Sequence, residues 1–172
     1  TGKFIDYFAN NCDGVVRFQG GAHAGPPLLV PGKKIVLHLV PSGILHPPMQ
    51  CLIGSGVVLD LHSLKEEMRH VQEAGHKVSP DRLKISGQAT LVLPFHKELV
   101  ADREGRLKIG TTKRGIGPAY EDRSSRRALL FKDLFAADLK EKIHRLAEEK
   151  NCLFENLYDI PKIDVDVLYN DL

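Results

Sequence analysis

The chain has 172 residues, enough to bury a sizeable core in one ordinary domain, and its 42% hydrophobic and 27% charged residues are the balance of a globular protein. A net charge of +2 and a pI near 8.4 are too mild for a nucleic-acid surface, and apolar runs such as Val57 to Leu61 are too short to span a bilayer. With no signal-peptide pattern at the start, the expectation is a cytoplasmic protein with no nucleic-acid and no membrane partner.

In chain order, Phe4, Ile5, Phe8 and Ala9 recur at helical spacing and predict a first helix directly after Thr1-Gly2-Lys3. Val15 to Phe18 reads as a short strand, and the glycine- and proline-rich stretch Gly20 to Pro31 as a loop. Ile35 to Val40 is apolar on both faces, which predicts a buried strand broken by Pro41-Ser42-Gly43. Cys51 to Leu59 predicts a second buried strand, with Gly54 and Gly56 marking a close backbone approach. Leu61, Leu64, Met68 and Val71 then keep helical spacing, with Ser63 and Glu66 as a capping box and Gly75 as the stop.

Two further short strands are expected at Leu83 to Ser86 and Thr90 to Leu93. Phe131, Phe135, Leu139, Ile143 and Leu146 form the stripe of a long helix from about Lys132 to Lys150. A new apolar pattern begins at Pro161 and stops short. Strands alternating with helices argue for an α/β fold with a largely parallel sheet flanked by helices. Cys12, Cys51 and Cys152 are odd in number and widely spaced, which predicts buried free thiols, and the eight histidines lack metal-ligand spacing.

The segment with a functional composition is Gly110 to Tyr120, where three glycines and a proline punctuate two threonines, Lys113 and Arg114. Glycines let backbone N–H groups reach an anion, hydroxyls donate to phosphate oxygens, and a guanidinium grips phosphate with two parallel bonds. An ordinary surface turn has the same composition, so both readings stay open on composition alone. Likewise, Arg126-Arg127 read without context is a solvated pair of charges.

The order of residues goes further. I-G-T-T-K-R-G-I-G-P-A-Y-E-D, from Ile109 to Asp122, followed by Arg126-Arg127, resembles the signature of adenylosuccinate synthetases. V-V-R-F-Q-G-G at Val15 to Gly21, H-L-V-P-S-G-I-L at His38 to Leu45 and I-G-S-G-V-V-L at Ile53 to Leu59 agree with it in order. The resemblance implies a P-loop-like nucleotide-binding architecture, incomplete here, with residues 1–172 as the N-terminal portion of a longer domain cut at both ends. It implies a homodimeric, magnesium-dependent ligase of purine biosynthesis. GTP phosphorylates the 6-oxygen of inosine monophosphate, and the aspartate amine then displaces the phosphate.

By the same resemblance, Thr112 and Arg126 contact inosine monophosphate, Arg126 from the neighbouring subunit. Thr1, Gly2 and Lys3 end the family's phosphate loop G-D-E-G-K-G-K at GTP, with Thr1 standing where the family has lysine. The family's loop after Q-G-G runs approximately x-N-A-G-H-T, whereas this chain reads Ala22-His23-Ala24-Gly25-Pro26-Pro27. His23, Ala24 and Gly25 then fall on inosine monophosphate contacts, Gly25 and Pro27 on GTP contacts, and the Gly25 carbonyl on Mg2+.

Pro26 occupies the position of the catalytic general acid, and proline has neither a titratable group nor an N–H. His23, three positions away, is a weak substitute. The family's base, an aspartate in G-D-E-G, falls ahead of Thr1, and its guanine- and aspartate-recognising loops fall beyond Leu172. Two alternatives accompany the ligase: a non-catalytic nucleotide-binding paralogue or assembly protein that has lost the acid, and a plain α/β interaction module.

Overall fold

The computed structural model describes residues 7–8, 12–23, 27–30, 33–108 and 110–172. Tyr7 and Phe8 are helical, and the rest of the predicted first helix lies outside the described residues. The chain forms two compact units, Thr1–Ala89 and Thr90–Leu172.

In the first unit, β1 (Gly14–Gly20), β4 (Gln50–Leu59) and β5 (Leu83–Ile85) make a parallel sheet in the order β1-β4-β5. Helix α1 (Leu61–Glu73) is the crossover between β4 and β5, as parallel pairing requires. Cys51, Ile53, Val57, Val58 and Leu59 of β4 are buried, so the continuous apolar run is the central strand it reads as. Its Gly56 is where β1 comes closest. A Cβ there would stand 2.2 Å from the Phe18 carbonyl oxygen, beside the register shift between Arg17 and Gln19.

Four sequence expectations change in this unit. Part of the predicted Gly20 to Pro31 loop is strand β2 (Pro27–Val30), antiparallel to β3 (Lys33–Val36). β3 stops at Val36, so only the first two residues of the strand expected from Ile35 to Val40 are strand. The cap of α1 is Asp60, whose carboxylate accepts from the Ser63 N–H at 3.1 Å, in place of the Ser63/Glu66 box. Of the three thiols only Cys51 is buried, with Cys12 and Cys152 exposed. Burial pushes the Cys51 thiol up to about 11, against the opposing charge of Arg82, which keeps it protonated.

Leu37 to Val40 leaves the strand because its N–H groups have a better acceptor. The buried Glu67 carboxylate on α1 accepts from His38 N–H, from Leu39 N–H at 2.9 Å and from Val40 N–H at 2.8 Å, and lies 3.0 Å from His38 Nδ1. Immediately after it, Ser42–Leu45 is a buried 3-10 turn. Arg82 ties that turn down: its guanidinium reaches the carbonyls of Gly43 (3.3 Å), His46 (3.2 Å) and Met49 (3.2 Å). The H-L-V-P-S-G-I-L motif is thus shaped by one carboxylate and one guanidinium.

The second unit holds β6 (Thr90–Leu91), α2 (Pro94–Leu107), α3 (Ile116–Ser124), α4 (Leu139–Leu157) and α5 (Val165–Asp171). The predicted long helix is corrected. Phe131–Phe135 is a 3-10 turn, α4 begins only at Leu139, and Phe135 is exposed rather than part of the stripe. From Leu139 the expected face holds: Leu139, Ile143, Leu146, Ala147, Lys150 and Phe154 are buried. Phe154 meets Phe95 of α2 at 5.9 Å between ring centroids. No described helix is long and apolar enough to cross a membrane.

The Glu67 arrangement makes a testable demand. Glu67→Gln turns one acceptor oxygen into an NH2 facing backbone donors, and should cost about 2 to 3 kcal/mol, read as a lower thermal midpoint. An unchanged midpoint would mean that the three N–H groups find acceptors elsewhere.

Candidate functional site

The signature segment is half turn and half helix. Lys108, Gly110, Lys113 and Gly115 all have left-handed backbone, with φ of 48°, 78°, 53° and 72°. The Glu104 carboxylate accepts from Gly110 N–H at 2.8 Å and Thr111 N–H at 3.1 Å, and these bonds, the Gly110 one foremost, hold its carboxyl below the usual range. Thr112, Lys113 and Arg114 are exposed. Gly115 then caps α3, which corrects the reading of Gly110 to Tyr120 as loop throughout. Pro118 is tolerated because it falls in the first turn, where N–H groups have no helical partner.

The other end of α3 carries Arg126. Arg126 N–H donates to the Arg123 carbonyl at 3.1 Å and Arg127 N–H to the Asp122 carbonyl at 2.9 Å, the paired bonds of a Schellman turn. Glycine is the favoured residue at the left-handed position of that turn, yet it is held here by Arg126, at φ 61°. The two arginines differ in their surroundings. Arg127 bonds Ser125 Oγ at 2.9 Å and pairs with Glu149. The Arg126 side chain is exposed and forms no hydrogen bond or ion pair among the described residues.

Beneath α3 lies a group of buried charges that no sequence spacing announced. Leu93 N–H donates to His96 Nδ1 at 2.9 Å, so Nε2 carries the proton and donates to Asp122 Oδ2 at 3.0 Å. Lys150 Nζ bonds the other oxygen, Oδ1. Burial holds the His96 imidazole below its ordinary range, outweighing the Asp122 carboxylate that favours its charged form. For Asp122 burial pushes upward, but the hydrogen bonds from His96 and Lys150 win and the carboxyl stays low. The arrangement is therefore one anion, one cation and a neutral imidazole. A signal existed: Lys150 follows Leu146 and Ala147 on the apolar face of α4, and a lysine there needs a buried carboxylate.

Of the other predicted positions, Thr1, Gly2, Lys3, Ala24, Gly25 and Pro26 lie outside the described residues. Pro27 opens β2, its backbone opposite Val36. His23 is exposed, just past the buried Gly21 and Ala22, and its N–H donates to the Gly21 carbonyl at 2.7 Å. His23 belongs to the first unit, while Thr112 and Arg126 flank one helix of the second.

Fold and site together define a parallel α/β protein that presents threonine, lysine and arginine side chains around the two ends of a short, internally braced helix. The family model for adenylosuccinate synthetase matches residues 1–172, and the chain belongs to that family. The adenylosuccinate synthetase of Bdellovibrio bacteriovorus is 54% identical over 175 residues, which covers 99% of this chain and 40% of the relative. That of Chlorobium limicola is 46% identical over 174 residues, with the same coverage. The chain thus spans about 40% of the length of the curated relatives it matches. Among solved structures, fully ligated adenylosuccinate synthetase from Plasmodium falciparum is similar with a TM-score of 0.78 and 32% identity, over 98% of this chain and 39% of that one. The succinoaminodeoxyadenylate synthetase of cyanophage S-2L shares the fold, with a TM-score of 0.63 and 23% identity over 90% of this chain and 44% of that one.

Two measurements follow from this geometry. Because folding lowers the affinity of His96 for a proton, the unfolded chain gains protons first as pH falls below 6.5, and stability should decline from there; Asp122 adds to the loss once pH falls below 3.8. Unfolding midpoints between about pH 7 and pH 5 should show this slope, and His96→Gln should flatten it. Arg126→Gly should raise stability by about 1 kcal/mol, since glycine takes the left-handed backbone without strain. A destabilised glycine variant would show that the arginine side chain, rather than its conformation, dominates.

Proposed function

We propose that this chain supplies the inosine monophosphate face of a cytoplasmic, homodimeric, GTP-dependent ligase that makes adenylosuccinate in purine biosynthesis. The observation that carries the reading is Arg126, held in a left-handed turn that glycine would occupy more easily, with its guanidinium exposed and unpaired among the described residues. Strain of this kind persists where the surroundings over-determine it and a ligand uses the result. A fixed, always-charged fork suits a nucleotide phosphate. Thr112, exposed on the turn before the same helix, would offer a hydroxyl to this chain's own nucleotide, while Arg126 would reach the nucleotide of the neighbouring subunit.

The chemistry activates a poor leaving group. The purine N1 gives up its proton as the γ-phosphoryl of GTP passes to the 6-oxygen, and GDP leaves. The aspartate nitrogen then bonds C6, the C6–O bond breaks, phosphate departs and the amine sheds a proton. Thr1, Gly2, Lys3 and Pro27 would face GTP, and His23, Ala24 and Gly25 the purine nucleotide. Magnesium, if bound as in the family, would neutralise phosphate charge, and the Gly25 carbonyl is a hard oxygen donor of the kind it accepts.

Pro26 supports the second reading. Loss of a positioned acid slows such a step by about 10²- to 10⁴-fold, so a nucleotide-binding protein without turnover is what this loop would leave if His23 does not substitute. Calorimetry with inosine monophosphate tests the shared core of both readings. Wild type should bind, Arg126→Ala should weaken binding by about tenfold or more, and Arg127→Ala should leave it unchanged. Absence of any binding by wild type would sink both. Adenylosuccinate formation with GTP, aspartate and Mg2+ separates them: turnover marks the ligase, binding alone the paralogue.

A further inference from the structure

Helix α3 is fixed at both ends by the same buried cluster. At its start, Gly115 lies so close to α2 that an added Cβ would stand 2.9 Å from His96 Cβ and 3.1 Å from the His96 carbonyl carbon. His96 is therefore the wall against which the signature turn closes. At its end, the Asp122 carbonyl accepts from Arg127 N–H at 2.9 Å, Ala128 N–H at 3.2 Å and Ser125 Oγ at 3.1 Å. The side chain of that same residue is clamped between His96 Nε2 and Lys150 Nζ. Arg127 is tethered outward to Glu149, one residue before Lys150 on α4.

We propose that His96, Asp122 and Lys150 form a positioning network that sets the turn carrying Arg126 and the turn carrying Thr112 at once. The proposal rests on the reading of those two residues as inosine monophosphate contacts, and it goes beyond that reading by assigning what holds them. All three are buried, so their part is to position rather than to contact the nucleotide. Asp122 connects the buried cluster to the surface: its carboxylate fixes where α3 sits on α2 and α4, and its carbonyl folds the left-handed turn. An arginine forced to φ 61° on an exposed turn would relax if that carbonyl moved. The network is thus the reason the strain at Arg126 persists.

A purely structural core cluster would lower stability without acting through Arg126, and a double-mutant cycle separates the two roles. In His96→Gln and in Lys150→Met, affinity for inosine monophosphate should fall roughly three- to tenfold. In an Arg126→Ala background the same substitutions should cost clearly less, leaving only the share that acts through the Thr112 turn. Hydrogen exchange at the Arg126 and Arg127 amides, which donate the two turn bonds, should accelerate in both variants. Leu139→Ala, a core lesion elsewhere in the unit, should lower the thermal midpoint and leave both readouts alone. If Lys150→Met does not fold, His96→Gln decides.

A lower midpoint with unchanged affinity and unchanged exchange at Arg126 and Arg127 would overturn the proposal, as would an affinity loss that persists undiminished without Arg126. Should Arg126→Ala itself leave affinity intact, the ligand reading fails separately. The exchange measurement then decides alone: faster exchange supports the network as the organiser of the turn, and unchanged exchange removes it.

Discussion

Asp122 keeps its charge in the protein interior because Lys150 stands against one carboxylate oxygen and a neutral His96 donates to the other. Taken as a whole, such a buried pair is close to neutral in stability against an apolar replacement, whereas removal of one partner strands a charge at a cost of about 3 to 5 kcal/mol. The cluster therefore tolerates joint replacement far better than damage to one member. What depends on it is the seating of three helices, α2, α3 and α4, each of which contributes one of the three residues. The first unit uses the same device with a different counterpart: Glu67 is balanced by consecutive backbone N–H groups and His38. The Glu67 carboxylate gathers backbone that has no place in a helix or strand, whereas the Asp122 carboxylate gathers side chains from two other helices.

The two neighbouring arginines show how that scaffold divides labour. Arg127 is occupied by Ser125 and Glu149, while Arg126 points its charge into solvent. An exposed cation on a flexible turn would lose conformational freedom on meeting a phosphate, and that loss would weaken binding. A turn whose backbone is settled in advance leaves only the side chain to order. The folded chain would meet the entropic cost at this position before any ligand arrives, as preorganised sites do generally.

Much of this was legible in the sequence, and the parts that were not share a cause. α1 and the buried face of α4 have a helical period, and β4 is a short apolar run bounded by breakers, which suits a central strand. Helices α2 and α3 lack such a period: α3 opens with Ile116-Gly117-Pro118, which looks like a turn until the first-turn exemption for proline is applied. Leu37 to Val40 kept a strand-like composition while its N–H groups were claimed by Glu67, 27 to 29 residues away. His96 and Asp122 are separated by 26 residues and Asp122 and Lys150 by 28. Pairings at that range leave no local trace except a lysine on an apolar helix face. The family resemblance implies that Thr112 and Arg126 contact inosine monophosphate, and it carries no information about what braces the exposed turns on which they lie.

The segment from Lys108 to Gly115 takes its form from the handedness of four residues, two of them lysines, more than from side-chain packing. A loop of that kind separates shape from chemistry. Its exposed threonine and arginine can be exchanged over evolutionary time for other polar groups without disturbing the path of the chain, so long as the four left-handed positions keep residues that accept them. Descendants of such a fold can change what they hold in the palm while keeping the hand.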